Sequence, residues 1–351
     1  MSAPRTRRSF ASPLDFEGGL VELSHGSGGR TMAQLIDELF STAFRNPWLD
    51  QRNDQACLEL PPGRIAMTTD SYVVSPLFFP GGDIGSLAVH GTVNDLTMAG
   101  AWPLHLSAGF ILEAGFPLSD LKRIVESMAA AARAANVTIV TGDTKVVERG
   151  KGDGVFINTT GIGVIPDGVQ LSGDRARPGD SILLSGTLGD HGVAVMSQRA
   201  DLDFETTLQS DSAALHELVA AMIAAAPGLR CLRDPTRGGL AATLNELAAQ
   251  SGVGMHLREA AIPVRPEVAA ACELLGLDPL YVANEGKLVA ICPPEDVEHV
   301  LAAMRAHPLG AAAALIGTVR EDPHHFVTME TIFGGNRLVD WLSGEQLPRI
   351  C

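Results

Sequence analysis

The stretch TTDSYVVSPLFFPGGDIGSLAVHGTVNDLTMAGA, residues 68–101, decides the fold class of this chain. It opens inside a run rich in β-branched residues, 64–74, which predicts a strand that carries Asp70 near its end. The segment 83–101 then predicts a helix, with small residues on one side that allow another element to approach closely. A strand followed by a helix indicates a protein in which α and β elements alternate.

The same alternation continues on both sides of this stretch. A helix is expected after the glycines of HGSGGR (25–30), because apolar residues recur at helical spacing in TMAQLIDELFSTAF (31–44). Downstream, the amphipathic helix LSDLKRIVESMAAAARAA lies between predicted strands: LHLSAGFILE, VTIVTGDTKVV and GVFINTTGIGVIP. A turn-rich segment then precedes a second series of helices and strands, so the domain boundary is expected near residue 175.

The expected organisation is two domains between two short ends. A chain of 351 residues is long enough for about two domains of roughly 150 residues each. We expect a disordered basic extension in 1–20, an N-terminal domain in 21–172, a C-terminal α/β domain in 173–337 and a mobile tail in 338–351. The tail has no periodic segment, and Pro348 favours an extended backbone before it, which suits a tail that reaches into a cleft.

Charge and composition exclude several classes of protein. The net charge of −15 argues against nucleic acid as the main partner, because such binding depends on Lys and Arg that neutralise phosphates.

Arg7 and Arg8 resemble a twin-arginine export signal, but acidic residues fall where its apolar region should lie. No apolar run approaches the ~20 residues that span a bilayer, and the five cysteines show no metal or disulfide spacing. A cytoplasmic globular protein is expected.

Five aspartates recur at strand ends or in glycine-rich loops and form the first candidate site: Asp54, Asp70, Asp95, Asp143 and Asp234. A single Asp in such a place is often only a cap or turn residue, because its side chain bonds nearby backbone N–H groups. Five of them suggest a shared pocket of carboxylates, whose hard oxygens suit Mg²⁺. The sequence therefore favours a magnesium site, and a purely structural role stays open for each aspartate alone.

Other residues are weaker candidates for binding and catalysis. Gly26, Gly28 and Gly29 of HGSGGR offer backbone N–H groups that can cover phosphates, although similar runs also make plain turns. The chain has neither a Walker A loop nor a dinucleotide fingerprint, so a nucleotide site must be of another kind. Lys145 follows an apolar strand and is either a solvated edge residue or an orienting cation, while Glu285 is either a loop residue or a general base.

These motifs, in this order, resemble the family of the hydrogenase expression/formation protein HypE. The resemblance rests on HGSGGR, the 68–101 stretch, VTGDTKVVERG, SGTLGDHG, DPTRGG, VANEGK and a final PRIC that ends at Cys351. It runs from about Leu20 to the last residue. The family belongs to the superfamily of aminoimidazole ribonucleotide synthetase, selenophosphate synthetase and thiamine-monophosphate kinase.

The resemblance implies a fold and a reaction. The fold is a two-domain ATP-binding α/β (α+β) architecture like aminoimidazole ribonucleotide synthetase, with N-terminal domains that pair across a homodimer into a β-barrel-like core. In this family a partner carbamoyltransferase carbamoylates the terminal thiol, and the protein then uses ATP and Mg²⁺ to dehydrate the S-carboxamide to a thiocyanate. The cyanide passes to an iron-carrying scaffold complex during [NiFe]-hydrogenase maturation.

The resemblance also implies roles for individual residues. Cys351 carries the group to be dehydrated, Lys145 polarises or stabilises the phosphorylated carboxamide, and Glu285 takes a proton. The residues expected at the ATP site are Gly26, Gly28, Gly29, Asp70, Asn94, Asp95, Thr141, Gly142 and Asp143. The residues expected to bind Mg²⁺ are Asp54, Asp70, Asp95, Asp143 and Asp234.

Two alternatives remain at this point. A sister enzyme would act on a free small molecule, but HGSGGR lacks the reactive Cys or selenocysteine of a selenophosphate synthetase. A thiamine-monophosphate kinase has no use for a mobile terminal thiol. A non-catalytic carrier would merely present Cys351 to partners, and Mg²⁺-dependent ATP hydrolysis by the carbamoylated protein distinguishes the enzyme from such a carrier.

Overall fold

The N-terminal half is built on one four-stranded sheet. The computed structural model describes residue 10 and residues 12–199, 207–342 and 349–351. The first elements are a 3₁₀ turn (Leu23–Gly26), α1 (Arg30–Leu35), a π-helical segment (Ile36–Phe40) and α2 (Ser41–Ala43). The elements that follow are β1 (Arg64–Tyr72), β2 (Phe78–Phe79), β3 (Gly82–Asp83), α3 (Ile84–Met98), β4 (Trp102–Glu113), α4 (Leu118–Ala134), β5 (Thr138–Val147) and β6 (Val155–Ile165).

The strand order of this sheet is β1-β6-β4-β5, in which only β4 and β5 run parallel. Helix α3 packs closely on β1, as its small residues predict. A Cβ at Gly91 would lie 2.3 Å from the Tyr72 hydroxyl oxygen, and one at Gly85 would lie 2.3 Å from the Ile124 carbonyl oxygen of α4. Glycine is therefore required where the helix meets its neighbours.

The C-terminal half contains a seven-stranded sheet with the order β13-β12-β9-β11-β7-β10-β8. Its elements are β7 (Ser181–Leu184), α5 (Asp190–Met196), α6 (His216–Ala225), β8 (Cys231–Arg233), α7 (Gly239–Ser251), β9 (Gly254–Arg258), α8 (Pro266–Leu275), β10 (Val289–Cys292), α9 (Val297–Ala306), β11 (Ala314–Arg320), β12 (Val327–Glu330) and β13 (Asn336–Leu338). The sequence predicts most of these elements. It does not predict α5, β8 or β13, which are too short for a clear periodicity.

The two ends of the chain are more ordered than expected where the structure describes them. Leu14 and Phe16 pack against the N-terminal core, and the Leu14 N–H donates to Glu38. Val339 is fully buried, and its carbonyl accepts a hydrogen bond from the Asn245 amide. Apolar side chains hold these segments. Part of the expected disordered extension and part of the expected mobile tail therefore belong to the folded protein. Pro348 lies outside the described residues.

The outward face of the N-terminal sheet carries exposed apolar side chains. The exposed fractions of Ile65, Met67 and Ile111 are 60%, 71% and 46%. Strands β1 and β5 form the two edges of the sheet. Within the described ranges, no helix combines the length and the apolar character needed to cross a membrane.

Candidate functional site

A small polar pocket forms where β1 and α3 meet two loops of the C-terminal half. Its volume is about 200 Å³. The residues that line it, which we call the cysteine pocket, are Thr69, Asp70, Gly91, Asp95, Asp234, Thr236, Arg237, Glu285 and Cys351. The pocket therefore combines three of the five predicted aspartates with the predicted base and the terminal thiol.

Burial strongly affects the acidic groups of the cysteine pocket. Burial, and next the charge of Asp95, raise the pKa of Asp234 to about 7. Burial, and next Asp234, raise the pKa of Glu285 well above its ordinary value. The Oε1 atom of Glu285 is buried and has no hydrogen-bond partner among the described residues. A group with these properties can take up a proton near neutral pH or receive a cationic ligand.

The last three residues lie against the folded protein, with Ile350 buried, Cys351 partly buried and Arg349 exposed. The Val73 N–H donates to the Cys351 carbonyl at 3.2 Å, and the Ser75 N–H donates to the Arg349 carbonyl at 3.0 Å. Arg349 also forms an ion pair with Asp153. The end of the chain therefore lies alongside the residues that follow β1.

The terminal thiol is held in its protonated form. Burial, and next the charge of Glu285, raise the pKa of Cys351, while Arg237 acts in the opposite direction. A protonated thiol is a poor nucleophile. In this position Cys351 is therefore badly placed to attack an external electrophile.

The segment 210–215 ties α3 to the loop that carries Glu285. Asn94 of α3 donates through its Nδ2 to the carbonyls of Ala213 at 3.0 Å and Glu285 at 3.2 Å. The backbone N–H of Glu285 donates to Asp211 at 3.2 Å. Asn94, which was expected at the ATP site, is 1% exposed and uses its amide to hold the loop that carries Glu285.

The remaining predicted residues gather at a different place, around the exposed edge strand β5. Asp143 and Lys145 form an ion pair of 2.6 Å with exposed fractions of 63% and 62%. A Cβ at Gly26 would lie 2.6 Å from the Val146 nitrogen, so the glycine loop rests against this strand. We call the following residues the β5 edge: Gly26, Gly28, Gly29, Thr141, Gly142, Asp143 and Lys145.

The β5 edge and the cysteine pocket are separated within one chain. Because β6 and β4 lie between β1 and β5, three strand spacings put the two edges about 14 Å apart. Lys145 is absent from the lining of the cysteine pocket. Asp54 is exposed and also does not line it. The structure thus divides the predicted site residues into two groups.

The donor set for a metal ion is incomplete in the protein alone. In the part of the chain that the structure describes, no three His, Cys, Asp or Glu side chains are arranged to hold a metal ion. Mg²⁺ commonly binds through one or two carboxylates and the phosphates of a nucleotide. Asp70, Asp95 and Asp234 can supply such carboxylates. Burial, and after it the charge of neighbouring carboxylates, raise the pKa of Asp95 and Asp234, and a cation would relieve this repulsion.

Sequence reasoning missed two side chains near Cys351. Arg237 lies in the quoted motif DPTRGG and is a cation within an acidic pocket. His191 lies in SGTLGDHG, and its Nε2 is 2.8 Å from the Ile350 carbonyl oxygen. Both motifs were visible, but a lone Arg or His in a loop gives no sign of which group it faces.

Comparisons with known proteins identify the family of this chain. Two family models match the chain, the N-terminal domain of AIR synthase related protein over residues 52–165 and its C-terminal domain over residues 177–330. A curated relative from Azotobacter vinelandii, named carbamoyl dehydratase HypE, is 73% identical over 340 residues, which cover 97% of this chain and 100% of that protein.

Solved structures show the same relationship. A crystal structure of hydrogenase maturation protein HypE in complex with ATP has a TM-score of 0.90 and 55% identity, and it covers 94% of this chain and 99% of that one. A HypE chain from a HypE–HypF complex has a TM-score of 0.77 and 50% identity, with coverage of 88% and 99%. The two-domain fold expected from the sequence is confirmed. The chain therefore belongs to the carbamoyl dehydratase HypE family of hydrogenase maturation proteins.

Proposed function

We propose that this protein uses ATP to dehydrate an S-carboxamide on its own Cys351 to a thiocyanate. The carboxamide oxygen attacks the γ-phosphorus, ADP leaves, and one N–H proton is lost. The C–O bond then breaks, phosphate departs with that oxygen, and loss of the second N–H proton leaves the nitrile. The thiocyanate carbon is the source of a cyanide ligand for the iron of [NiFe]-hydrogenase.

One observation carries this proposal: the terminal cysteine lies in the same buried pocket as Glu285. Phosphorylation is needed because an amide oxygen is a poor leaving group, whereas phosphate is a good one. The elimination also needs a base, and the raised pKa of Glu285 makes this carboxylate a stronger base than an exposed one. Such a placed base accelerates proton transfer by roughly 10²–10⁴-fold.

The charged groups of the cysteine pocket suit a nucleotide that arrives with Mg²⁺. We assign Asp70, Asp95 and Asp234 as the carboxylates that face the metal–phosphate group, while Arg237 offers a cation to phosphate oxygens. Mg²⁺, when bound, neutralises the phosphate charge that otherwise opposes phosphoryl transfer. Metal roles for Asp54 and Asp143 stay predictions.

A homodimer offers a way to unite the β5 edge with the cysteine pocket. The open edges β1 and β5 and the exposed side chains of Ile65 and Met67 support pairing of two N-terminal sheets, in the barrel-like manner predicted from the family resemblance. In such a dimer the Asp143–Lys145 pair of one protomer lies beside the cysteine pocket of the other. Lys145 then stabilises the phosphorylated carboxamide there.

Two partners act before and after this chemistry. The solved complex of HypE with HypF supports a carbamoyltransferase as the donor of the carboxamide, and an iron-carrying scaffold complex is the acceptor of cyanide. The five free thiols suit the reducing cytoplasm as the compartment. Because Cys351 is partly buried and its thiol is held protonated here, the tail leaves the pocket to receive its carbamoyl group.

The decisive experiment follows the mass of the C-terminal peptide. The protein is incubated with carbamoyl phosphate, the transferase and ATP, with or without Mg²⁺. We expect a carboxamide to form first and to become a nitrile only when Mg²⁺ and ATP act on this protein. Cys57→Ser, which changes an exposed thiol outside the pocket, should behave as the natural protein, and Cys351→Ser should gain no mass.

A carbamoylated protein that neither hydrolyses ATP nor forms a nitrile would contradict the proposal. That result would favour the non-catalytic carrier instead. Conversion of a free small molecule without any change at Cys351 would favour a sister enzyme of the same fold.

A further inference from the structure

His191 connects the C-terminal half of the protein to the end of the tail. It lies near the start of α5, with its side chain fully buried. One ring nitrogen, Nε2, is 2.8 Å from the Ile350 carbonyl oxygen, and the other, Nδ1, is 2.7 Å from the Ser210 hydroxyl oxygen. The motif that contains His191 has no role in the chemistry described above.

The hydrogen-bond partners fix the tautomer of this ring. Burial lowers the pKa of His191, so the imidazole is neutral and carries one N–H. The Ile350 carbonyl can only accept, so Nε2 must donate to it. Nδ1 therefore accepts from the Ser210 hydroxyl, and the Ser210 oxygen accepts in turn from the Ser212 N–H at 3.1 Å. Each hydrogen bond in this series is therefore donated in the direction of the tail.

We propose that His191 is a positioning residue that holds the Ile350 carbonyl through its Nε2–H and thereby places the Cys351 sulfur beside Glu285. This proposal rests on the proposed function, because it assigns the docked tail as the state in which dehydration occurs. His191 does not line the cysteine pocket, and it acts through the backbone of the residue before Cys351.

The contact matters because it holds the tail from the second half of the protein. The backbone N–H groups of Val73 and Ser75 hold the tail from the N-terminal half, whereas His191 belongs to the C-terminal half. The side chain of Ile350 is only 3% exposed and packs in a hydrophobic cluster to which both halves contribute. A buried carbonyl that loses its donor is costly, so removal of the His191 N–H should favour the released tail.

Alkylation of Cys351 measures the released fraction without ATP or any partner. The docked thiol is partly buried and protonated, so a reagent such as iodoacetamide modifies mainly the released tail, and mass spectrometry of the C-terminal peptide gives the rate. We expect His191→Phe, which keeps an aromatic ring against Phe79 but removes the donor, to react roughly tenfold faster. His191→Gln, whose amide can donate from a similar position, should restore a rate near that of the natural protein.

A second variant covers the case in which His191→Phe does not fold. Ser210→Ala removes the hydroxyl that fixes the tautomer, so the ring spends time without a proton on Nε2, and alkylation should accelerate by roughly threefold. Ser197→Ala is the matched control, because its hydroxyl donates to the Ala194 carbonyl and accepts from the Gln198 amide, groups that do not hold the tail, and its rate should not change. Equal rates for the natural protein, folded His191→Phe and Ser210→Ala would overturn the proposal.

Nitrile formation separates this proposal from the proposed function. With protein that already carries the carboxamide, His191→Phe should form the nitrile roughly tenfold more slowly, and His191→Gln should recover the rate. Absence of nitrile formation by the natural protein would contradict the proposed function. The alkylation result would still decide whether His191 holds the tail. Faster alkylation with unchanged nitrile formation would overturn the placement of the sulfur by His191.

Discussion

The cysteine pocket and the β5 edge carry the same kinds of side chain in opposite surroundings. In the pocket, burial raises the pKa of Asp234 to about 7 and holds that of Glu285 well above its ordinary value. On β5, the hydrogen bond from Lys145 lowers the pKa of the exposed Asp143. One chain therefore holds a preformed acidic pocket at one edge of its sheet and a solvated ion pair at the other.

The difference shows that one chain is enough to form the cysteine pocket, whereas the β5 edge is left open to solvent. The cysteine pocket gathers three aspartates, Glu285 and the terminal thiol within one chain, and burial together with mutual repulsion raises the pKa of Asp234 and Glu285. The β5 edge is an exposed ion pair, which contributes little to stability. It gains a role only when a nucleotide or a second protomer covers it.

The largest expected effect comes from the pocket. Glu285→Gln keeps the size of the side chain but removes the base, so nitrile formation on carbamoylated Cys351 should fall by roughly 10²–10⁴-fold. The C-terminal peptide mass, followed against time, gives this rate. Glu217→Gln changes an exposed carboxyl at the start of α6 and should have no effect. Full conversion by Glu285→Gln would sink the assignment of this base.

A smaller effect tests whether the two regions meet across a dimer. Lys145→Ala and Cys351→Ala should each be inactive, but their mixed dimers contain one intact site. A mixture in equal amounts should therefore recover about a quarter of the natural rate of nitrile formation, as a shared two-fold site requires. Glu285→Gln mixed with Cys351→Ala is the control, and it should recover nothing because both residues belong to one pocket. No recovery in the first mixture would show that the β5 edge of one protomer does not complete the cysteine pocket of the other.

The smallest effect concerns stability without ligands. Asp234 binds its proton more tightly in the folded state, with a pKa of about 7 against an ordinary 3.8. The stability it contributes is therefore present below about pH 4 and lost as the pH rises to 7. Relative to Asp234→Asn, the natural protein should lose a few degrees of melting temperature across this window.

Thermal unfolding of both proteins at several pH values checks this expectation. Asp54→Asn, at an exposed position, provides the control and should give a curve parallel to that of the natural protein. If the melting temperature of Asp234→Asn also followed pH in parallel with that of the natural protein, the raised pKa of Asp234 would be contradicted. Mg²⁺ with ATP should reduce the difference in melting temperature between the natural protein and Asp234→Asn, because a bound cation removes the repulsion that the Asn substitution relieves.

The sequence predicted the fold class, most helices and strands, and many of the residues that lie together. Asp70, Asp95, Asp234, Glu285 and Cys351 do share one pocket. It could not predict that Asn94 would use its amide on the loop of Glu285, because the two residues are far apart in the chain. Nor could it separate Lys145 from this pocket, since strand order within a sheet depends on long-range pairing.

The sequence by itself determined the elements, because hydrophobic periodicity and glycine placement are local properties. It also determined the family, because the motifs and the terminal Cys351 are written in order along the chain. Only the tertiary structure decided which charges face one another. Burial raises the pKa of Glu285, and the contacts of Val73 and His191 with the tail place the thiol beside it. Both effects depend on surfaces that exist only after the two halves have packed together.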